Sequence, residues 1–280
     1  MYAVRVPDEA AWPAWREAAR RAISHRIRPE DIDWTGAGGL FEGAPLPPSP
    51  GPHQARVPKA FVTLASAVIW HSDPERFALL YLALWRLDRG QDPIQPADPL
   101  GARLGAMAKS VRRDIHKMHA FVRFRELPAG PRRRFAAWFE PDHHIVEPAA
   151  PFFARRFGDM DWLIATPRLT ARFEAGQLSF TPGSPRPDLP DDAQESLWQV
   201  YYANIFNPAR IKPEAMRGHM PRKYWKNLPE TRLIPEMLAD APARVARMHE
   251  AGASKPRPGA ARISTRYRAG LDSAGMGEDR

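Results

Sequence analysis

The sequence predicts an α+β protein, mainly helical, with a small antiparallel sheet of about four to five strands covered by helices. Three observations lead there. Before residue 119, apolar residues recur at helical spacing over several long stretches. From His119 to Phe180 the period becomes two, and short alternating runs are separated by Pro- and Gly-bearing turns. The order of elements in that second part is strand, strand, helix, strand, strand, strand. Residues 1–250 are expected to form a single folded domain, with a helical core over 1–118, an antiparallel-sheet unit over 119–180 and a helical part over 191–250. Residues 251–280 are rich in Gly, Ser and Arg and read as a basic flexible tail.

In order along the chain, Tyr2 to Val6 alternates like a short strand. Asp8 is placed to cap a helix reaching Ile27, whose Trp12, Trp15, Ala19, Ala22 and Ile23 share one face. Ile32 to Trp34 suggests a second short strand, and Gly36 to Pro52 a loop. Pro58 to Trp70 is a strongly apolar helix. Asp73-Pro74 starts another that reaches Leu87, with His71 in the turn between them. After a Pro-rich connector, Leu100, Leu104, Met107, Val111, Ile115 and Met118 mark one face of a long helix. Phe121 to Arg125 reads as a strand with Phe121 inward and Val122 outward. Phe135 to Glu140 is an antiparallel partner for it across a turn at Pro128 to Arg134. Glu147 to Phe157 is a helix expected to bury Phe152, Phe153 and Phe157. Trp162 to Thr166 is a third strand, and Leu169 to Phe180 a hairpin turning at Ala175-Gly176-Gln177. A helix over about 191–206 and another from Thr231 to about Glu250 follow.

Composition limits the chemistry. The chain carries 41 Lys and Arg against 32 Asp and Glu, a formal charge of +9, which suits a polyanionic partner. It has no cysteine, which excludes disulfides, thiolate nucleophiles and a cysteine-held iron–sulfur cluster. No apolar run is long enough to span a bilayer, and MYAVRVPDEA is not a signal peptide, so a cytoplasmic protein is expected. Walker A, GxGxxG, GxSxG and HExxH patterns are absent. No metal and no cofactor is expected.

Cations concentrate in two places. Between Lys109 and Arg134 stand nine basic residues and two acids, a local charge of 9 − 2 = +7. Lys109, Arg112, Arg113, Arg123 and Arg125 are its candidate phosphate ligands, since guanidinium and ammonium groups reach phosphate oxygens. The second segment places Tyr224 and Trp225 among Arg222, Lys223 and Lys226; aromatics among cations suit stacking on unpaired bases. The ordinary alternative is that Tyr224 and Trp225 belong to the core. Histidines are the other signal: His116 and His119 are three apart, and EPDHHIVE joins His143 and His144 to Glu140, Asp142 and Glu147. His116, His119, His143, His144 and Glu140 are therefore candidate acid–base groups.

The phrases DIHKMHAFVRFRE, FAAWFEPDHHIVEPAAPFFARRF, YYANIFNPAR and MPRKYWKNLPE resemble the bacterial family called domain of unknown function 4130, over about residues 2–240. The resemblance implies DNA metabolism. Such domains precede a uracil-DNA-glycosylase-like module in fusion proteins, or stand alone beside a putative DNA-repair radical-SAM protein. It supplies no reaction and no catalytic residue. The sequence ends at Arg280, so no glycosylase module is expected after the tail. A radical-SAM cluster would have to belong to a partner. The expected function is a DNA-binding protein of DNA repair or modification acting with a glycosylase-like or radical-SAM partner. The alternatives are a DNA-processing enzyme using the His/carboxylate cluster as acid–base groups or metal ligands, or a protein–protein adaptor.

Overall fold

A computed structural model describes residues 1–7, 9–35, 43–127, 133–186, 221–225, 228, 231 and 233–250. The described residues up to 186, with Lys223, Tyr224, Trp225 and Leu228, form one compact unit; Pro221, Arg222 and those from 231 onward fall in another. The expected helix over about 191–206, the tail from 251 and Lys226 lie outside the described residues.

The first unit begins with β1 (Tyr2–Ala3), which pairs in parallel with β2 (Ile32–Asp33). Between them runs α1 (Ala11–Ser24), which buries Ala11, Trp15, Ala18, Ala19, Ala22 and Ile23 at three- and four-residue intervals. Its start is not at Asp8, which lies outside the described residues. The N-cap is Ala10, in a left-handed conformation (φ 54°) with no side-chain cap, and its N–H donates instead to Glu147 Oε2 at 3.0 Å. The helix stops at Ser24, before Ile27, because Arg26 turns left-handed (φ 55°) and Ile27 N–H closes back on the Ala22 carbonyl.

Three further helices follow: α2 (Lys59–Val68), α3 (Arg76–Asp88) and α4 (Pro99–Phe121). Both α2 and α3 pack against α4. Asp73 accepts the Glu75 N–H at 2.9 Å ahead of α3, and Asp98 caps α4 by accepting the Leu100 N–H at 2.9 Å. Along α4, Leu100, Leu104, Met107, Val111 and Met118 are buried, as their spacing predicts, while Lys109, Arg112, Arg113 and His116 are exposed.

The sheet has five strands in the order β3 (Arg125–Glu126), β4 (Arg134–Trp138), β5 (Asp161–Ala165), β6 (Leu169–Glu174) and β7 (Gln177–Pro182). Phe135, Trp162, Phe173 and Leu178 make one row across β4 to β7. Two expectations need correcting. The strand expected over Phe121 to Arg125 forms only from Arg125, where β3 pairs antiparallel with β4: α4 continues through Phe121, and Val122 is buried, not outward, because it lies four residues beyond buried Met118. The sheet is also not wholly antiparallel. β4 and β5 are parallel, because α5 (Val146–Arg156) crosses over between them and returns the chain in the same direction. α5 lies against α4, β6 and β7 and drives Phe153 into contact with Trp162 at 6.1 Å. Phe153 is buried as expected, but Phe152 is 37% exposed.

Late in the chain, α6 (Arg222–Trp225) brings Tyr224 to the first unit. In the second unit, α7 (Ile234–Glu250) has Ile234 and Met237 buried. Among the described residues no helix is long and apolar enough to cross a membrane.

Candidate functional site

The site is assembled around a residue that the sequence offers only as one of two acids in a basic stretch. Asp114, on the middle of α4, is 3% exposed. Its Oδ2 accepts the backbone N–H groups of Asp142 at 2.8 Å and His143 at 3.0 Å, and its Oδ1 accepts the Tyr224 hydroxyl at 3.2 Å. One carboxylate thus fixes the loop after β4 and a residue from the far end of the unit. Burial pushes its pKa up, and the two N–H donors pull it back down. Tyr224 is 1% exposed and sits between Phe139 (5.2 Å, 7° between planes) and Phe121 (5.5 Å, 29°). Lys223 pairs with Asp142, and the Lys117 ammonium lies 5.8 Å from the Tyr224 ring centre.

His143 is held by three groups. The Ser72 N–H donates to its Nδ1 at 3.2 Å, the Ser72 hydroxyl lies 3.0 Å from the same atom, and the Ser110 hydroxyl is 2.7 Å from Nε2. A backbone N–H can only donate, so Nδ1 is the acceptor and Nε2 carries the proton towards Ser110. The His71 ring lies on His143 at 4.3 Å, with its own Nδ1 accepting the Asp73 N–H at 3.0 Å. Burial lowers the pKa of both imidazoles, and each is further lowered by positive charge nearby. Asp142 pulls His143 upward, while Lys223 and Lys117 push it down. Both shifts favour the neutral imidazole. In front of it opens a concavity of about 120 Å³, lined by Ser72, Asp142, His143, His144, Thr166 and Arg168 among others.

The structure does not gather the four candidate histidines. His143 and His144 share the concavity, and the His144 N–H is tied to the Trp70 carbonyl at 2.8 Å. His116 is exposed on α4. His119 lies nine residues beyond Ser110, about 13 Å along the helix. It packs on α5, with Nε2 3.3 Å from the Ala149 carbonyl and its ring 4.1 Å from that of Phe152. Glu140 is half-buried beyond β4. Among the described residues no group of three or more His, Cys, Asp or Glu side chains is placed to hold a metal ion.

The candidate cations divide. Lys109, Arg112 and Arg113 are exposed and have no ion-pair partner among the described residues. Six residues before Lys109 on the same helix, Arg103 is paired with Asp73 at 2.9 Å and Glu75 at 2.6 Å. Arg123 is half-buried and donates to the Ala120 carbonyl at 2.8 Å, closing the end of α4. Arg125 is half-buried on β3. Arg222 and Lys223 stand on α6, and Lys223 is exposed beside Asp142. Tyr224 is a core residue, so it offers no face to a base; Trp225 is half-buried. The sequence could have indicated Asp114 in one way: it is an acid on the apolar side of a helix, three residues after buried Val111 and four before buried Met118.

A family model described as domain of unknown function 4130 matches residues 74–230, which include α3 to α6, the whole sheet, Asp114, the 141–144 loop and Tyr224. No curated protein and no solved structure matches the chain.

Proposed function

The chain belongs to this family, and from that premise we propose that it is a DNA-binding protein of DNA repair or modification, working beside a glycosylase-like or radical-SAM partner. The observation that carries the reading is the exposed face of α4. Lys109, Arg112, Arg113 and His116 follow one another at three, one and three residues on the solvent side, and among the described residues no acid pairs with Lys109, Arg112 or Arg113 as acids pair with other arginines. From Lys109 to His116 the helix rises about 10 Å, a span comparable with about three nucleotide steps of a DNA strand. Lys109, Arg112 and Arg113 along that rise can each reach a phosphate oxygen. The partner class rests on the settings in which the resembled family occurs.

Anisotropy of a labelled duplex, titrated with the full chain over a salt series, tests the proposal. The expected result is an affinity that falls steeply with salt. Arg112→Glu with Arg113→Glu is expected to weaken binding and to flatten the log–log salt slope by about 2, close to 0.9 for each lost phosphate contact. Salt-independent binding, or a double variant that binds like the unaltered chain, refutes it.

The concavity before His143 favours a second reading, a DNA-processing enzyme with Asp142, His143 and His144 as its polar groups. Lesion-bearing oligonucleotides turned over by the chain, but not by a folded His144→Ala variant, would establish it. Absence of turnover across such substrates discards it.

A further inference from the structure

Phe152 is the only aromatic among the exposed large hydrophobic side chains of the described residues, which are Met1, Val57, Val62 and Phe152. Its neighbour Phe153 supplies the packing of α5: it is 2% exposed and makes ring contacts with Phe124, Phe157 and Trp162. Phe152 instead lies on the His119 ring, 23° from coplanar, at the edge of the core. Both rings are set by helices, His119 by α4 and Phe152 by α5, and His119 is also tied to the Ala149 carbonyl. The stack is thus pre-organised, which lowers the entropic cost of using it as a binding surface.

Positive charge surrounds it. Arg155 and Arg156 are exposed at three and four residues from Phe152, on the same side of α5, and neither has an ion-pair partner among the described residues. On α4, Arg112, His116 and His119 stand at i, i+4 and i+7, so the exposed cation stripe leads onto the aromatic pair. An apolar ring edged by arginines complements a base on one side and its phosphates on the other, and base–aromatic stacking tolerates any sequence because every base has a π-face.

We propose that the His119–Phe152 pair is a stacking platform for an unpaired nucleobase, so that the chain binds single-stranded DNA more tightly than duplex. This rests on the α4 face as the phosphate-binding surface and adds the strandedness that the face alone leaves open. Stacking needs a base freed from its neighbours, whereas phosphate contacts serve both forms.

The test is anisotropy of a labelled 20-nucleotide oligothymidylate and of a duplex of equal length, with the unaltered chain, Phe152→Ala, Phe152→Leu, Phe152→Trp and the Arg112→Glu/Arg113→Glu double variant. Phe152→Leu keeps apolar bulk against His119 and removes the π-face, so it reads stacking even if Phe152→Ala loosens the fold. The expected result is about a tenfold loss of single-strand affinity in the Ala and Leu variants, duplex affinity unchanged within about twofold, and single-strand binding retained by Trp. Equal losses on both DNAs, or no loss in Phe152→Leu, overturns the platform. If the double variant still binds both DNAs while Phe152→Leu selectively loses the single strand, the α4 reading fails and the platform stands. If the double variant weakens both and Phe152→Leu neither, the reverse holds.

Discussion

Asp114 shows how much one side chain can organise here. It satisfies two backbone donors and one hydroxyl from a buried position, so its loss leaves three groups short of partners. Asp114→Ala is expected to cost about 3 kcal/mol in urea denaturation. Asp114→Asn is expected to cost about 1 kcal/mol or less, because its amide oxygen can accept both N–H groups while its NH₂ donates to Tyr224. Equal losses in the two variants would contradict this arrangement. His143 sets a pH dependence. A second proton must enter at Nδ1, where the Ser72 N–H already donates, and burial lowers the pKa of His143, His71 and His119 alike. Below about pH 6.5 the unfolded chain protonates these imidazoles while the folded chain resists. The stability they support is therefore complete above that pH and lost as the pH falls through their lowered folded values. The denaturation midpoint is expected to drop from pH 7 to pH 5, and His143→Ala, less stable at pH 7, should show a shallower drop. Little of this was legible beforehand. An isolated aspartate in a basic run reads as one charge among many, and the sequence gives no sign that Ser72, Ser110 and His143 meet.

At the scale of elements, α4 is the most legible. Its buried positions follow the 3.6-residue period closely enough to set the core face and, by subtraction, the cation face. The same regularity produced the error at its end, since Phe121-Val122-Arg123-Phe124 alternates like a strand but Phe121 and Val122 continue the helix face begun by Met118. The parallel β4–β5 pair is hidden for another reason: short alternating runs carry no direction, and only the packing of α5 across the sheet makes its flanking strands run together. The β6–β7 hairpin was legible from Ala175-Gly176, and its geometry suggests a stabilising change. Glu174 pairs with Gln177, and both loop residues have positive φ, 49° for Ala175 and 83° for Gly176. That is the pattern of a type I′ turn, which favours Asn-Gly. Ala175→Asn is expected to add about 0.5–1 kcal/mol, seen as a rise of about 1–4 °C in Tm. A fall in Tm would mean the turn is not of that type.

At the scale of the whole molecule, the first unit joins two separate stretches of sequence, because Lys223–Leu228, with buried Tyr224 and Leu228, belongs with the N-terminal stretch that begins at Met1. Tyr224→Ala is expected to cost about 3–5 kcal/mol, the usual range for a fully buried aromatic. A chain cut after residue 230 is expected to keep the near-ultraviolet circular dichroism of the first unit, and one cut after residue 220 to lose much of it. Comparable spectra from the two would show that Tyr224 is dispensable. The matched family segment, 74–230, runs just past this residue. The Asp114–Tyr224 bond also bears on how the protein is made. The two residues are 110 positions apart, which at synthesis rates of about 5–20 residues per second is about 5–20 s of translation. During that interval the α4 carboxylate has emerged but its aromatic partner has not, so the 141–144 loop and its histidine reach their final setting only once residue 224 has been made. A ribosome stalled before residue 224 would therefore display a nascent chain whose sheet can pair but whose central acid is still open to water.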